Sequence, residues 1–401
     1  MRPKHSQHSI PAFPVYSCAF LSDSTFVVGG GGGAARSGIK NKLRLYEVSQ
    51  DRSIQQQDEF ELERGEDAPM SMAAHAETST IVCGVNSPET QLANGLNENC
   101  RVYNVKENKI VPLRTKGTLS SGDLEEYQKV TVLSPDGTLL AVAGPHDVVV
   151  LSYPSLNPIA EPIHTEKEIY DAAFSEDSLI IATTHNLLVY SLPKDDASPT
   201  SKGKQKGKSK TKSGSEKIST SALLLLNTVN VPADTFGEGS TFRQIKLHPV
   251  DATVAYTVIN TNPPRSRQKK SVSRQGFITK WNIKSWSIEK SRKVGDKGVT
   301  CLDLSADGRY IGFGSSELSV GLLDATTLAP CATILKAHDF PPTVVKFNPS
   351  ATLLVSGSPD NTLRVVTVPL TTNSLGSGTF FLILALVIIL LSILVQLYLR
   401  Q

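Results

Sequence analysis

The sequence predicts an all-β fold, a seven-bladed β-propeller, followed by a single membrane-spanning helix near the C-terminus. Three observations lead there. A strand–turn–strand phrase recurs seven times along the chain. The 401 residues exceed what one compact core usually holds, about 250–300 residues, a limit that repeat architectures escape because each unit packs only on its neighbours. An apolar run from Thr379 to Leu399 is uninterrupted by charge.

The recurring phrase is an apolar strand, a short polar turn carrying Asp, Asn or Pro, and a second apolar strand. It begins at Ala19 (AFLSDSTFVVGG), Ala73 (AAHAETSTIVCG), Val132 (VLSPDGTLLAVAG), Ala172 (AAFSEDSLIIAT), Lys246 (KLHPVDATVAYTV), Asp303 (DLSADGRYIGFGS) and Lys346 (KFNPSATLLVSGS). Spacings of roughly 40 to 75 residues match a propeller-blade period of ~40–45 with loop insertions. A third strand follows each phrase, for example LRLYEV, CRVYNV and FITKWNI. Such short strands punctuated by Pro, Asp and Gly read as β throughout. The last unit, KAHDFPPTVVKFNPSATLLVSGSPDNTLRVVTV, resembles a WD repeat, with His338 and Asp360 at the positions of that repeat's side-chain network. Val366 and Thr367 stand where the Trp-Asp pair is expected, so the repeats are degenerate.

The predicted organisation is a propeller over residues 1–370, a linker over 371–378, a transmembrane helix over 379–399 and a two-residue tail, 400–401. At ~1.5 Å per residue, the 21 residues of the apolar run reach ~31 Å, the thickness of a hydrocarbon core. The N-terminus has no apolar core and is not a secretory signal. A segment this close to the C-terminus is expected to insert after synthesis and to leave the propeller in the cytosol. Residues 194–217 form a Lys, Gly and Ser-rich insertion without aromatics, expected to be disordered. The basic stretch from Pro263 is expected to be a long hairpin loop.

Composition removes several function classes. The net charge of +3 implies no polyanionic partner, and the basic insertion lacks stacking platforms, so no nucleic acid is expected. Five scattered cysteines without a CxxC point to reduced, partly buried thiols rather than a zinc site or a disulfide framework. No GxSxG, HExxH or Cys/His motif is present, and no catalytic residue is assigned.

The most unusual stretch is VVGGGGGAARSGIKNKLRLYEV in the first unit. Gly33 and Gly38 have Walker A spacing, but Ile39 and Lys40 replace the required Lys and Ser/Thr. Gly30, Gly32 and Ala35 fit a loose dinucleotide fingerprint, but a strand rather than a helix follows. Two readings of the run remain. It is either a tight turn beside the propeller axis, or a base where backbone approaches backbone, an ion or a partner, from which a loop projects with Ile39 exposed near its tip.

The GGGG–x–GI–x–N run, the propeller and the single C-terminal membrane helix together resemble the Sec-twelve/PREB family. These are endoplasmic-reticulum exchange factors for the Sar small GTPase, which starts coat protein complex II assembly. The resemblance spans nearly the whole chain, with its sharp motif confined to Gly29–Asn41. It implies a guanine-nucleotide exchange factor with no covalent chemistry of its own, on the endoplasmic reticulum membrane, with the propeller facing the cytosol. It also implies a potassium ion in the loop, with Gly32, Gly33 and Asn41 as ligands. Gly38, Ile39 and Asn41 match the family's GTPase-contacting loop, Pro69 a further contact, and His338 the seventh-blade His of the binding face. The short tail departs from members with a long lumenal domain. The competing reading is a tail-anchored propeller scaffold that gathers trafficking proteins.

Overall fold

The computed structural model describes residues 3–34, 37–119, 126–193, 221–262 and 274–369, together with Ala385, Ile388 and Gln396. The chain divides into two units, residues 1–368 and 369–401. Most of the apolar run 379–399, the Lys-rich insertion 194–217 and the basic stretch 263–273 lie outside the described residues. Among those described, no helix is long and apolar enough to cross a membrane.

The first unit is a seven-bladed β-propeller. Seven four-stranded antiparallel sheets follow one another, six of them simple meanders in chain order. Their innermost strands are Val15–Phe20, Met72–His75, Val130–Leu133, Ile169–Phe174, Thr241–Leu247, Val299–Leu304 and Val344–Phe347. Each innermost strand touches the innermost strand of the next blade, and the seventh touches the first, so the ring is closed. The seven repeated phrases of the sequence are the first and second strands of the seven blades.

The closure itself carries no sequence signature. The fourth strand of blade seven is His5–Ser9, from the other end of the unit, paired antiparallel with Thr362–Thr367. Its sequence, HSQHS, needs no apolar face because the strand is outermost in its blade and none of its residues is buried. Arg364 anchors it through side-chain bonds to His5 Nδ1 (2.9 Å) and Gln7 Oε1 (2.8 Å).

The apolar residues explain the ring. They gather into seven clusters, one between each pair of neighbouring blades. Between blades seven and one, for instance, Val355 and Val365 meet Val15, Phe26 and Val28. Every sheet is therefore covered on both faces. That is why second strands such as Leu139–Ala143 (LLAVA) read as continuous apolar runs rather than alternating ones. Outermost strands such as Ile54–Glu61 (IQQQDEFE) are largely polar because solvent bathes them. The five cysteines are free, four of them buried, as expected for reduced thiols. Burial raises the thiols of Cys18, Cys100 and Cys301 to about 12.

Candidate functional site

In a meander blade, the loops between second and third strands and those leading into the next blade emerge at the same end of the ring. The glycine run lies there, in the connection between Thr25–Gly30 and Lys42–Val48. Beside it are the connections 62–71, from blade one to blade two, and 10–14, from blade seven to blade one.

Glycine is required here by close approach. A Cβ on Gly30 would lie 2.2 Å from the Pro14 carbonyl oxygen, and one on Gly29 would lie 2.6 Å from Pro69 Cβ. At Gly31, φ is +142°, and a Cβ would sit 2.3 Å from Asn41 Oδ1 and 2.6 Å from Asn41 Cα. The run thus lets the chain pass between two neighbouring connections and fold back on Asn41.

Asn41 closes the loop at its base. Its Oδ1 accepts the Gly33 N–H (2.9 Å), and its Nδ2 donates to the carbonyls of Gly33 (3.0 Å) and Glu66 (2.7 Å). The side-chain amide therefore pairs with the Gly33 peptide group while also holding the neighbouring connection. Asn41 is 8% exposed. Glu66 is likewise buried, and its carboxylate pairs with Arg101 of blade two and accepts the Glu63 N–H (2.8 Å). Asp67 faces the loop, with a carboxylate raised above its ordinary range by burial and pulled back by the N–H groups of Ala68 and Ala34. Neither acid was singled out by sequence reading, although both sit in the EDAP segment that supplied Pro69.

The predicted contact residues separate into two groups. Gly38 is exposed together with Ser37 and Lys40, at the tip of the loop. Ile39 is only partly buried rather than exposed. The loop folds back so that Ile39 lies over Gly32, where an added Cβ would come within 3.1 Å of Ile39 Cβ. Asn41, Pro69 and His338 are buried. The Pro69 carbonyl accepts the Ser17 hydroxyl (2.6 Å), so Pro69 supports the loop from beneath.

His338 belongs to the internal network of blade seven. Nδ1 lies 2.8 Å from Thr362 Oγ1 and 3.3 Å from Asp360 Oδ2, and Nε2 lies 2.8 Å from Ser356 Oγ. The Thr362 hydroxyl donates to Asp360 Oδ1 (2.7 Å), which leaves its lone pair for a proton on His338 Nδ1. Burial lowers the His338 pKa; the neighbouring Asp360 opposes that shift. The His–Asp pairing expected for a WD-type blade is therefore present, and the side chain has no exposed surface.

For a cation, the donor chemistry is suitable. The Gly33 carbonyl and Asn41 Oδ1 lie at the base of the loop, each already paired within the Asn41–Gly33 exchange, the Asn41 backbone carbonyl accepts the Leu62 N–H (2.9 Å), and the Asp67 carboxylate faces the same loop. Hard oxygen donors of this kind suit a weakly hydrated alkali ion.

Comparison with known proteins agrees with this architecture. A WD domain, G-beta repeat model matches residues 329–366, from the outer strand of blade six into the third strand of blade seven. Guanine nucleotide-exchange factor SEC12 of Candida glabrata is 24% identical over 375 residues, covering 89% of this chain and 71% of that protein. The chain is thus similar, over most of its length, to a protein named as a SEC12 exchange factor. SEC12-like protein 2 of Arabidopsis thaliana is 22% identical, over 83% of this chain and 73% of its own length. The putative guanine nucleotide-exchange factor SED4 of Saccharomyces cerevisiae is 20% identical over 94% of the chain, which spans about a third (32%) of SED4.

Proposed function

We propose that this chain is a guanine-nucleotide exchange factor that promotes GDP release from a Sar-type small GTPase at the endoplasmic reticulum membrane, the step that starts coat protein complex II assembly. The observation that carries the reading is the loop 31–41, a glycine-built projection pinned by a buried asparagine, on a propeller whose relatives include named exchange factors.

An exchange factor binds the nucleotide-free GTPase best, and by linkage it weakens nucleotide binding by the same factor. The pinned loop suits this role because its geometry is set before the partner arrives, which lowers the ordering cost of binding. Its exposed tip at Ser37–Gly38 and the partly buried Ile39 behind it offer a small apolar wedge toward the GTPase switch loops, where displacement disturbs the Mg²⁺ and phosphate contacts that retain GDP. Pro69 and His338 act on this reading by holding the platform. A potassium ion would be held by Gly32, Gly33 and Asn41 and would brace the loop as a fixed positive charge. Residues 379–399 would anchor the chain as one membrane span, with the propeller facing the cytosol.

The test is GDP release from a purified Sar-type GTPase with and without the full chain in detergent. Ile39→Ala is expected to slow release by roughly ten- to several-hundred-fold if the side chain is a central anchor. Replacing K⁺ by Li⁺ at matched ionic strength is expected to slow release without unfolding. A folded chain that binds the GTPase but leaves GDP release at its spontaneous rate would favour the scaffold reading instead.

A further inference from the structure

The loop is not alone on its end of the ring. Phe340 is 58% exposed in the connection entering blade seven, and Leu96 is 61% exposed in the connection 85–99 of blade two. A single exposed apolar side chain is ordinary on any surface. These two differ because hydrogen bonds, linked by one-residue steps of the chain, tie the segments that carry them to the glycine loop and its flanking connections.

On one side, Gly31 N donates to the Pro14 carbonyl (3.0 Å), and the adjoining Phe13 N donates to Asn361 Oδ1 (2.7 Å). Beside Asn361, Asp360 Oδ2 accepts the N–H of Asp339 (2.7 Å), and the Phe340 carbonyl accepts the Ser358 hydroxyl (2.9 Å). Pro341 and Pro342 follow, and the Pro342 carbonyl accepts the Thr300 hydroxyl (2.6 Å). Phe340 is thus fixed before and after, with two prolines restricting the chain. On the other side, Asp67, which faces the loop, donates its N–H to the Asn86 carbonyl (3.1 Å). Asn86 Oδ1 accepts from Asn97 Nδ2 (3.1 Å), and Asn97 Oδ1 accepts the Ser87 N–H (3.0 Å), which fixes the segment that presents Leu96.

We infer that Phe340 and Leu96 are apolar anchors on either side of the loop, and that the docking surface for the GTPase runs across blades seven, one and two. This rests on the exchange-factor reading above and adds to it the residues that hold the partner in place while the loop acts. A stable interface buries about 800 Å² on each partner, more than any one loop supplies, and pre-ordered aromatic and aliphatic anchors lose little entropy on binding. The two side chains touch no reacting atom; they are positioning residues.

The experiment measures binding of the full chain to a nucleotide-stripped Sar-type GTPase, alongside GDP release at saturating chain. Phe340→Ala and Leu96→Ala are each expected to weaken binding about tenfold or more, with melting curves unchanged. Release at saturation should stay within about twofold of wild type, because the loop is intact and only affinity is lost. Val250→Ala, 77% exposed in the turn between the first two strands of blade five and so at the opposite end, should change neither quantity. If Phe340→Ala melts early, Phe340→Lys, which keeps the bulk, takes its place. Wild-type affinity in both variants, or loss in only one, overturns the two-sided surface while leaving the exchange reading intact. Loss of self-association by the chain, with GTPase affinity retained, overturns it in favour of a second copy as occupant. A wild-type chain that neither binds the GTPase nor accelerates release sinks the exchange reading and this inference with it.

Discussion

Replacing Asn41 by Ala tests whether the loop works by being pinned. The substitution removes three hydrogen bonds, to Gly33 N–H, Gly33 C=O and Glu66 C=O. At a net ~1 kcal/mol each, the loss would reach about 3 kcal/mol if nothing replaced them. Water can reach Gly33, which is partly exposed beside the exposed Ala34, so much of its share is recovered. The Glu66 carbonyl, on a residue 5% exposed, has no such replacement and keeps a penalty of about 1–3 kcal/mol. Taking ~2 kcal/mol as the net loosening of the loop, the competent population falls about 30-fold, since ~1.4 kcal/mol is a factor of ten. GDP release should therefore drop by roughly 10- to 100-fold, while the melting temperature moves by only a few degrees because no blade core is touched. Asn41→Asp should be impaired as well, because it keeps the acceptor for Gly33 N–H but loses both donors and sets a carboxylate against two carbonyls. Wild-type GDP release by a folded Asn41→Ala chain would refute the idea that a pinned loop matters. Full activity of Asn41→Asp with loss in Asn41→Ala would show that the oxygen, not the donor pair, does the work, as a cation ligand would.

Deleting residues 2–9 should remove the closing strand of blade seven, leave the Thr362–Thr367 edge unpaired and produce a chain that aggregates or melts far below wild type in thermal scans; an unchanged melting curve would mean the ring closes without it. His338 titrates below the ordinary His value of 6.5 because burial disfavours its charged form, so the unfolded chain binds a proton first. The stability it contributes is complete above pH 6.5 and is lost as pH falls from there through the lowered folded value. His338→Asn should therefore be less stable than wild type at pH 7.5, yet lose less stability than wild type between pH 6.5 and 5, and parallel pH profiles of melting temperature would contradict this.

How much of the site was legible beforehand depended on the range of the interactions involved. The glycine run announced itself because five residues without Cβ are locally exceptional, and Asn41 was found with it. Asp67 and Glu66 were missed because their importance lies in contacts with residues 25 to 35 positions away, which no local pattern encodes. Phe340 was passed over beside His338, although both lie in one five-residue stretch. The sequence marks a His–Asp spacing but not which neighbour the turn leaves outside.

The sequence by itself determined the number of blades and the composition of their inner strands. Each sheet is sandwiched between two others, so its second strand had to be buried on both faces, and that requirement is written seven times in the chain. Only the tertiary structure decided how the ring closes, because the closing strand HSQHS pairs through its backbone, buries no residue and needs no apolar signature. Tertiary packing also decided which of the loop residues face outward. Folding Ile39 back over Gly32 and burying Asn41, Pro69 and His338 follow from how three separate connections meet at one end of the propeller. That meeting is set by ring geometry, in which residues more than 300 positions apart, such as Phe13 and Asn361, become hydrogen-bonded neighbours.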